Sequence, residues 1–364
     1  MTDKTRIESF LMSYSNADFT NPHEVCLPDE PKDCRGDFTH MGAKYWGCES
    51  RRHQSTRVLV QEQALEYDHN GHNWMLIGLK KRANVDTITI STKWYTGNQV
   101  RFVTVYLRDT LTGQMNKVCD RFPLNPDSDH TVTFDPTLAT ECFVECYYDG
   151  GISRINFFGA ILNEQPSEKK NLLEKAAVSH VSNAHYGKPE QAVFGARKET
   201  HMIGWESARS GFGEQALFTL EKQAIINEVI VDTYMHRLNS PLTCHVYGAH
   251  MTSEKTVEDL MKRAPRWKVR YIEGAEFIPD DFQEFMFEQK YLAERGTKNR
   301  VKFKIIPFIP DNSPWKALLP FAPLTPDTYH RFKIDAIRAP VTHILYVHYP
   351  NGGIHGLKVF GTEI

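Results

Sequence analysis

The sequence predicts an all-β chain of two tandem β-sandwich domains of jelly-roll type, the second with a partly helical insertion. Three observations carry this expectation. Five blocks recur in the same order in the two halves, the intervening segments alternate apolar and polar residues, and the offset between the halves jumps by 59 residues at one place.

The blocks come first. Ser15-Asn16-Ala17-Asp18-Phe19 returns as Ser182-Asn183-Ala184-His185-Tyr186, and Gly47-Cys48-Glu49-Ser50-Arg51-Arg52 as Gly204-Trp205-Glu206-Ser207-Ala208-Arg209. Residues 88–106 align without a gap on 229–247, keeping Thr92/Thr233, Asn98/Asn239, Val105/Val246 and Tyr106/Tyr247. Pro123 to Asp127 with His130 returns as Pro323 to Asp327 with His330, and Asp149-Gly150-Gly151-Ile152 through Gly159 as Asn351-Gly352-Gly353-Ile354 through Gly361. Tyr106 and Tyr247 lie 141 positions apart, whereas Pro123 and Pro323 lie 200 apart, so the second copy carries 59 extra residues between those markers. The expected domains are 1–164 and 165–364, with the insertion at about 250–315 and a polar linker around 163–170.

Strand patterning is clear at 85–91, 102–106, 131–134 and 152–157, and it suggests several short strands per copy. Inside the insertion, 256–261 and 280–295 read as helices, with apolar residues spaced near three to four. Residues 172–181 read as a short helix leading into the second copy.

Composition excludes several classes. Apolar residues make up 41% and charged residues 24% of 364, the ordinary range of a globular protein. A net charge of −2 and a pI near 6.8 give no field to attract nucleic acid. No apolar run reaches the ~20 residues of a membrane span, and the N-terminal residues lack a signal-peptide core. The cysteine count is seven, an odd number that suits reduced thiols in the cytoplasm. Cys142 and Cys146 face one side of a strand, but a zinc ion needs two more soft ligands. P-loop, dinucleotide-binding, His-Glu-x-x-His and Gly-x-Ser-x-Gly motifs are all missing.

Four clusters carry polar chemistry. Glu49-Ser50-Arg51-Arg52-His53 follows the Tyr45-Trp46 pair, and alternation would put Glu49, Arg51 and His53 on one face. Arginine forks suit a carboxylate ligand, and a carboxylate or imidazole handles a proton; a solvated, salt-bridged loop is the plainer reading of the spacing. Asp68, His69 and His72 read as metal ligands, as hydrogen-bonding groups or as structural residues, with Asn70-Gly71 marking a turn that puts His72 and Trp74 on one face. In Trp94-Tyr95-Thr96-Gly97-Asn98, Gly97 suits a left-handed backbone or a close approach, and Asn98 offers donor and acceptor together. The Asp149-to-Ile152 turn with Arg154 beyond it reads as a tight hairpin turn or a binding element.

Taken together, these blocks resemble the allantoicase family: two tandem jelly-roll (galactose-binding-like) domains, each with Gly-Trp-Glu-[Ser/Thr]-x-Arg, His-Asp-Trp, Asp-Thr-x-x-[aromatic]-x-Gly-Asn and Asp-Gly-Gly-Ile-x-Arg. The resemblance spans Ser15 to Gly361 apart from the insertion. It implies hydrolysis of allantoate to ureidoglycolate and urea in purine breakdown. Carried onto this chain, it implies Glu49 and His72 as catalytic groups and Arg51, Arg52, His53, Asn98, Asp149 and Arg154 as substrate-binding groups. The second-copy counterparts are Glu206, Arg209, Asp232 and Asn239.

The chain departs from the pattern at Cys48, Asn73 and Ser91 in the first copy. In the second, Glu214-Gln215-Ala216 stands for His-Asp-Trp, and Leu238, Asn351 and Gly356 replace Gly, Asp and Arg. The motifs imply no cofactor and leave metal use open. The expected partners are a small-molecule substrate and further copies of the chain, with neither nucleic acid nor membrane. The alternative is an inactive relative that kept the scaffold as a binding or assembly module; a carbohydrate-binding jelly roll shares the architecture too, since fold does not fix function.

Overall fold

A computed structural model describes residues 5–53, 57–61, 64–68, 71–162, 170–194, 197, 204–251, 256–272, 274–294, 302–334 and 339–364. The chain divides into two compact units, Met1–Gln165 and Pro166–Ile364.

The first unit is organised by two strands much longer than the short ones expected, Asn73–Ser91 and Asp129–Tyr147, each of 19 residues. They pair antiparallel along their whole length, with register shifts between Thr133 and Thr137 and between Ala139 and Glu141. Such shifts bend a strand sharply without ending it. Each long strand therefore serves two layers. In one layer, the start of Asn73–Ser91 pairs with Ser9–Tyr14, and the end of Asp129–Tyr147 pairs with Phe102–Arg108, which pairs with Met115–Pro123. In the other, the end of Asn73–Ser91 pairs with Arg154–Ile161, flanked by Thr5–Ile7. Inward residues of both layers, among them Ile77, Ile88, Ile90, Leu107, Val144 and Phe157, form one buried cluster. Cys142 and Cys146 are buried in that cluster as core residues.

The second unit repeats the plan. Glu214–Asp232 is again 19 residues long. It pairs with Ala177–Val181, Val341–Tyr349, Tyr329–Lys333 and Gly356–Glu363. Thr243–Ala249 and Trp315–Pro323 complete the sheet.

Segment 172–181 is not the helix expected from its pattern. Leu172–Lys175 is a single 3-10 turn capped by Asn171, and Ala177–Val181 is an edge strand of the sheet. Tertiary pairing outweighs a weak local helical preference there.

The insertion folds on the sheet. It contains helices Val257–Lys262 and Phe282–Glu294 and a small sheet of Glu276–Phe277, Arg266–Tyr271 and Phe303–Phe308. Thr256 starts the first helix by a reciprocal capping box with Asp259. Leu260 and Ala264 join Leu217, Tyr247, Ala249, Trp315, Leu345 and Val347 in a separate buried cluster, so the insertion covers the outer face of this sheet. The end of the expected helix at Arg295 and the linker at 163–169 lie outside the described residues. Among the described residues, no helix is long and apolar enough to cross a membrane.

Candidate functional site

Three loops converge at one rim of the first sandwich. Cys48–Glu49 pairs with Gly151–Ile152, and Gln99 bridges to the other side of Gly151. Ser50 locks the first contact twice: its N–H donates to Gly150 O (3.1 Å) and its Oγ accepts from Gly150 N (3.0 Å). Gly151 N donates to Asn98 O (2.8 Å) and Val100 N to Gly151 O (3.1 Å), which fixes the second. Glycine is required at 151, because a Cβ there would lie 2.0 Å from the Tyr95 ring. Tyr95 is fully buried, stacks on Tyr45 and donates from its hydroxyl to Trp46 O (2.9 Å).

Glu49 sits at the centre of this arrangement with 8% of its surface exposed. One carboxyl oxygen, Oε1, accepts from Asn98 Nδ2 (2.8 Å); the other has no hydrogen-bond partner among the described residues. Burial pushes this carboxyl from its ordinary 4.5 up to about 7, opposed by the Asn98 bond and the Arg52 charge. A carboxyl that titrates near neutrality can both give and take a proton at physiological pH.

The other expected residues are distributed around this carboxyl rather than gathered on it. Arg52 is exposed and acts on Glu49 through its charge. Arg51 turns to an ion pair with Asp18, and its N–H bonds Asn16. His53 is exposed, adopts a left-handed backbone (φ 64°) and donates from its N–H to Asp149 Oδ2 (2.6 Å). The expected shared face of Glu49, Arg51 and His53 is therefore absent, because strand geometry ends at Glu49 and the chain turns at Arg52-His53.

Asp149 staples two loops, accepting from His53 N and from Asn73 Nδ2 (2.9 Å). His72 packs beside Tyr147, with Nε2 3.6 Å from Glu145 Oε1. Arg154 is held by the 28–30 segment, donating to Asp29 O (2.9 Å) and pairing with Glu30 (2.9 Å). Gly97 has neither of the properties expected of it. Its φ is not positive and no described residue lies within 4 Å of its Cβ position; the left-handed residue of this loop is Trp94 (φ 71°), whose N–H bonds Asp127. Of the suggested metal ligands, His69 lies outside the described residues. Among those described, no group of three or more His, Cys, Asp or Glu is placed to hold a metal.

The second copy reproduces the backbone of this rim and not its chemistry. Ser207 N donates to Gly352 O (3.0 Å), Gly352 N to Ser207 Oγ (3.1 Å) and Gly353 N to Asn239 O (2.8 Å). Asn239 Oδ1, however, meets His236 Nδ1 (3.3 Å), and Glu206 is only half-buried. Asp232 forms a two-pronged pair with Arg197 (3.0 and 3.1 Å), whose guanidinium stacks over Tyr234. The Arg209 carbonyl accepts from Asn351 Nδ2 (3.1 Å).

The structure also corrects one sequence equivalence. Ser15 Oγ donates to Asn73 Oδ1, and Ser182 Oγ likewise donates to Glu214. Asn73 lies opposite Cys146 and Glu214 opposite His348. Glu214 therefore stands for Asn73, and the place of His72 falls to Gly213, beside the insertion's Trp267. Gln283 of the insertion grips the adjoining Phe212 backbone at N and O (2.8 and 2.6 Å).

Sequence reasoning missed Gln99, whose buried Oε1 has no hydrogen-bond partner among the described residues. Its counterpart is Ser240, so the repeat gave no signal at this position.

The family model described as allantoicase repeat matches residues 3–162, 170–311 and 307–364. The chain belongs to the allantoicase family. The allantoicase of Saccharomyces cerevisiae is 25% identical over 270 residues, covering 68% of this chain and 75% of that protein. A probable allantoicase of Schizosaccharomyces pombe is 22% identical over 372 residues, covering 96% and 89%. A solved structure of allantoicase aligns at 20% identity and a TM-score of 0.34, covering 98% and 91%. In this chain Asn98 bonds Glu49 in the first repeat, whereas Asn239 meets His236 at the same place in the second.

Proposed function

We propose that the protein hydrolyses allantoate to ureidoglycolate and urea at the rim of its first repeat. The observation that supports this most strongly is Glu49: a buried carboxyl, raised to about 7, with one oxygen held by Asn98 and the other unpartnered. Family membership and the allantoicase relatives supply the substrate class.

Allantoate carries a carboxylate and two ureido groups on one carbon. Hydrolysis adds a water oxygen to that carbon and breaks its bond to one ureido nitrogen. The bond's electron pair goes to the nitrogen, which takes a proton and leaves as urea. Glu49, protonated about half the time near pH 7, gives that proton or takes the one released by water. Arg52, exposed and close enough to lower the Glu49 carboxyl's pKa, binds the substrate carboxylate by its guanidinium fork. His53 lies beside it in sequence and is exposed at the same rim. In this reading Asn98 orients Glu49, while Asp149 and Arg51 hold the loops. His72 and Arg154 have protein partners of their own and stand outside the first contact with substrate.

Substituting Glu49→Gln is expected to reduce urea release by ~10²-fold or more. A folded Glu49→Gln protein with near-normal turnover would remove Glu49 from this role. A folded wild type without turnover would favour the binding or assembly module instead.

The insertion is proposed as a contact between copies of the chain, since Ile272 (70% exposed), Phe277 and Phe287 leave apolar surface on it. Light scattering of Phe287→Ser tests this; an unchanged mass of an oligomeric wild type counts against it. A cytoplasmic location is proposed from the seven cysteines, all of which are free.

A further inference from the structure

Buried polar atoms without a partner are rare, and each calls for a reason. Glu49 Oε2 and Gln99 Oε1 are two such atoms, and the fold places them as a pair. Glu49 and Gln99 are the two bridge partners of Gly151, one on each side. Directly paired residues of neighbouring strands carry their side chains on the same face. Gly151 contributes no side chain between them, and the Tyr95 ring fills the place its Cβ would take. Glu49 and Gln99 thus flank Gly151, where the Tyr95 ring packs, each with a side-chain oxygen that lacks a partner among the described residues.

Gln99 Oε1 only accepts, and Glu49 Oε2 accepts whenever the carboxyl is ionised, so a donor is the partner that suits both. Leaving a buried acceptor unpaired destabilises the fold, and two such oxygens flank one glycine here. The second repeat supports the same point. There Gln99 is replaced by Ser240, and Asn239 is drawn to His236. The acceptor pair is thus confined to the repeat that keeps the Glu49–Asn98 bond.

We infer that Gln99 is a substrate-binding residue, whose Oε1 accepts an N–H of the ureido group while Glu49 Oε2 faces the same group from the other side of Tyr95. A ureido arm suits this pair because its nitrogens carry several N–H donors around a small planar unit. The inference rests on the proposed hydrolysis for the identity of the ligand, and it assigns the recognition of its urea half. Arg52 holds the carboxylate half.

The test uses the full chain with Gln99→Met, which keeps length and volume and removes the acceptor. KM for allantoate and the inhibition constant of urea are both expected to rise about tenfold or more. The melting temperature is expected to stay level or to rise, because an unpaired buried acceptor has been removed. A structural role would give the opposite pattern, a lower melting temperature with KM and urea inhibition unchanged, and that result overturns the inference. Gln99→Leu, tested the same way, guards against a defect peculiar to Met.

Calorimetric titration of allantoate and urea separates this inference from the reading beneath it. Wild-type turnover with Gln99-independent KM and binding overturns the inference and leaves the hydrolysis standing. Binding that depends on Gln99 without turnover overturns the hydrolysis and leaves the inference standing. A wild type that binds neither compound overturns both.

Discussion

The Glu49 carboxyl makes a prediction in which stability and catalysis move in opposite directions. A carboxyl raised from 4.5 to about 7 is disfavoured in its charged form by the fold. At 1.36 kcal/mol for each tenfold change, ionising it in the folded protein costs about 3 kcal/mol relative to the unfolded chain. The sign follows from proton linkage. Between pH 4.5 and 7 the folded state holds the proton more tightly, so stability falls as pH rises through that window and levels off above it. Glu49→Gln keeps the shape, the Asn98 bond to an oxygen and the neutral form at every pH. The variant should therefore be more stable than the wild type at pH 8 by up to about 3 kcal/mol, less what the new amide N–H loses without a partner. Near pH 4, below the unfolded value, the advantage should vanish. Guanidinium unfolding at the two pH values measures this without adding urea, which is a product of the proposed reaction. Urea release from allantoate by the same preparations should fall by ~10²-fold or more. A stability difference that is independent of pH would refute the claim that burial holds this carboxyl near neutrality. A less stable variant at pH 8 would show that the carboxylate is anchored by contacts other than Asn98.

Three further outcomes follow from the same geometry. Gly151→Ala should abolish activity and lower the melting temperature, because the added methyl falls 2.0 Å from the Tyr95 ring between Glu49 and Gln99; thermal melting and urea release check it together. Acid should weaken the second unit. Burial lowers His245 to about 4 and His348 to about 3, so the unfolded state takes up protons below pH 6.5 that the folded state refuses. Stability is then lost as pH falls from 6.5 towards 4, by ~1.4 kcal/mol per histidine per pH unit, and His245→Gln should flatten that slope in guanidinium titrations. Asp232→Ala should cost ~3–5 kcal/mol by leaving the Arg197 guanidinium without its carboxylate. KM for allantoate should not change; a raised KM in a folded variant would place Asp232 at the substrate.

Much of the fold was legible because the chain is written twice. Alternation identified strands at 85–91 and 102–106, and both belong to strands of the sandwich. What alternation did not show is continuity. Asn73–Ser91 runs unbroken through the charged residues Lys80, Lys81 and Arg82, because its register shifts let one strand cross between layers. Segment 172–181 failed as a helix for a related reason, since the edge of the sheet supplies its hydrogen bonds.

The site was legible in part. Glu49 and Asn98 stood out in the motifs, and they are bonded to each other. Arg154 and Asp149 belong to the same motifs but are committed to loop contacts, a distinction that spacing does not carry. Gln99 stayed hidden because its signal is a missing partner, which exists only once the three loops have met. The insertion was located by offset alone, and its role as a cover for the second sheet follows from the cluster around Leu260 and Trp315.

The most direct test of the first-repeat site is steady-state urea release from allantoate by the wild type, Glu49→Gln and Glu206→Gln, all shown to be folded. Turnover is expected from the wild type and from Glu206→Gln, with loss in Glu49→Gln. Turnover that survives in Glu49→Gln and disappears in Glu206→Gln would move the chemistry to the second repeat and contradict it.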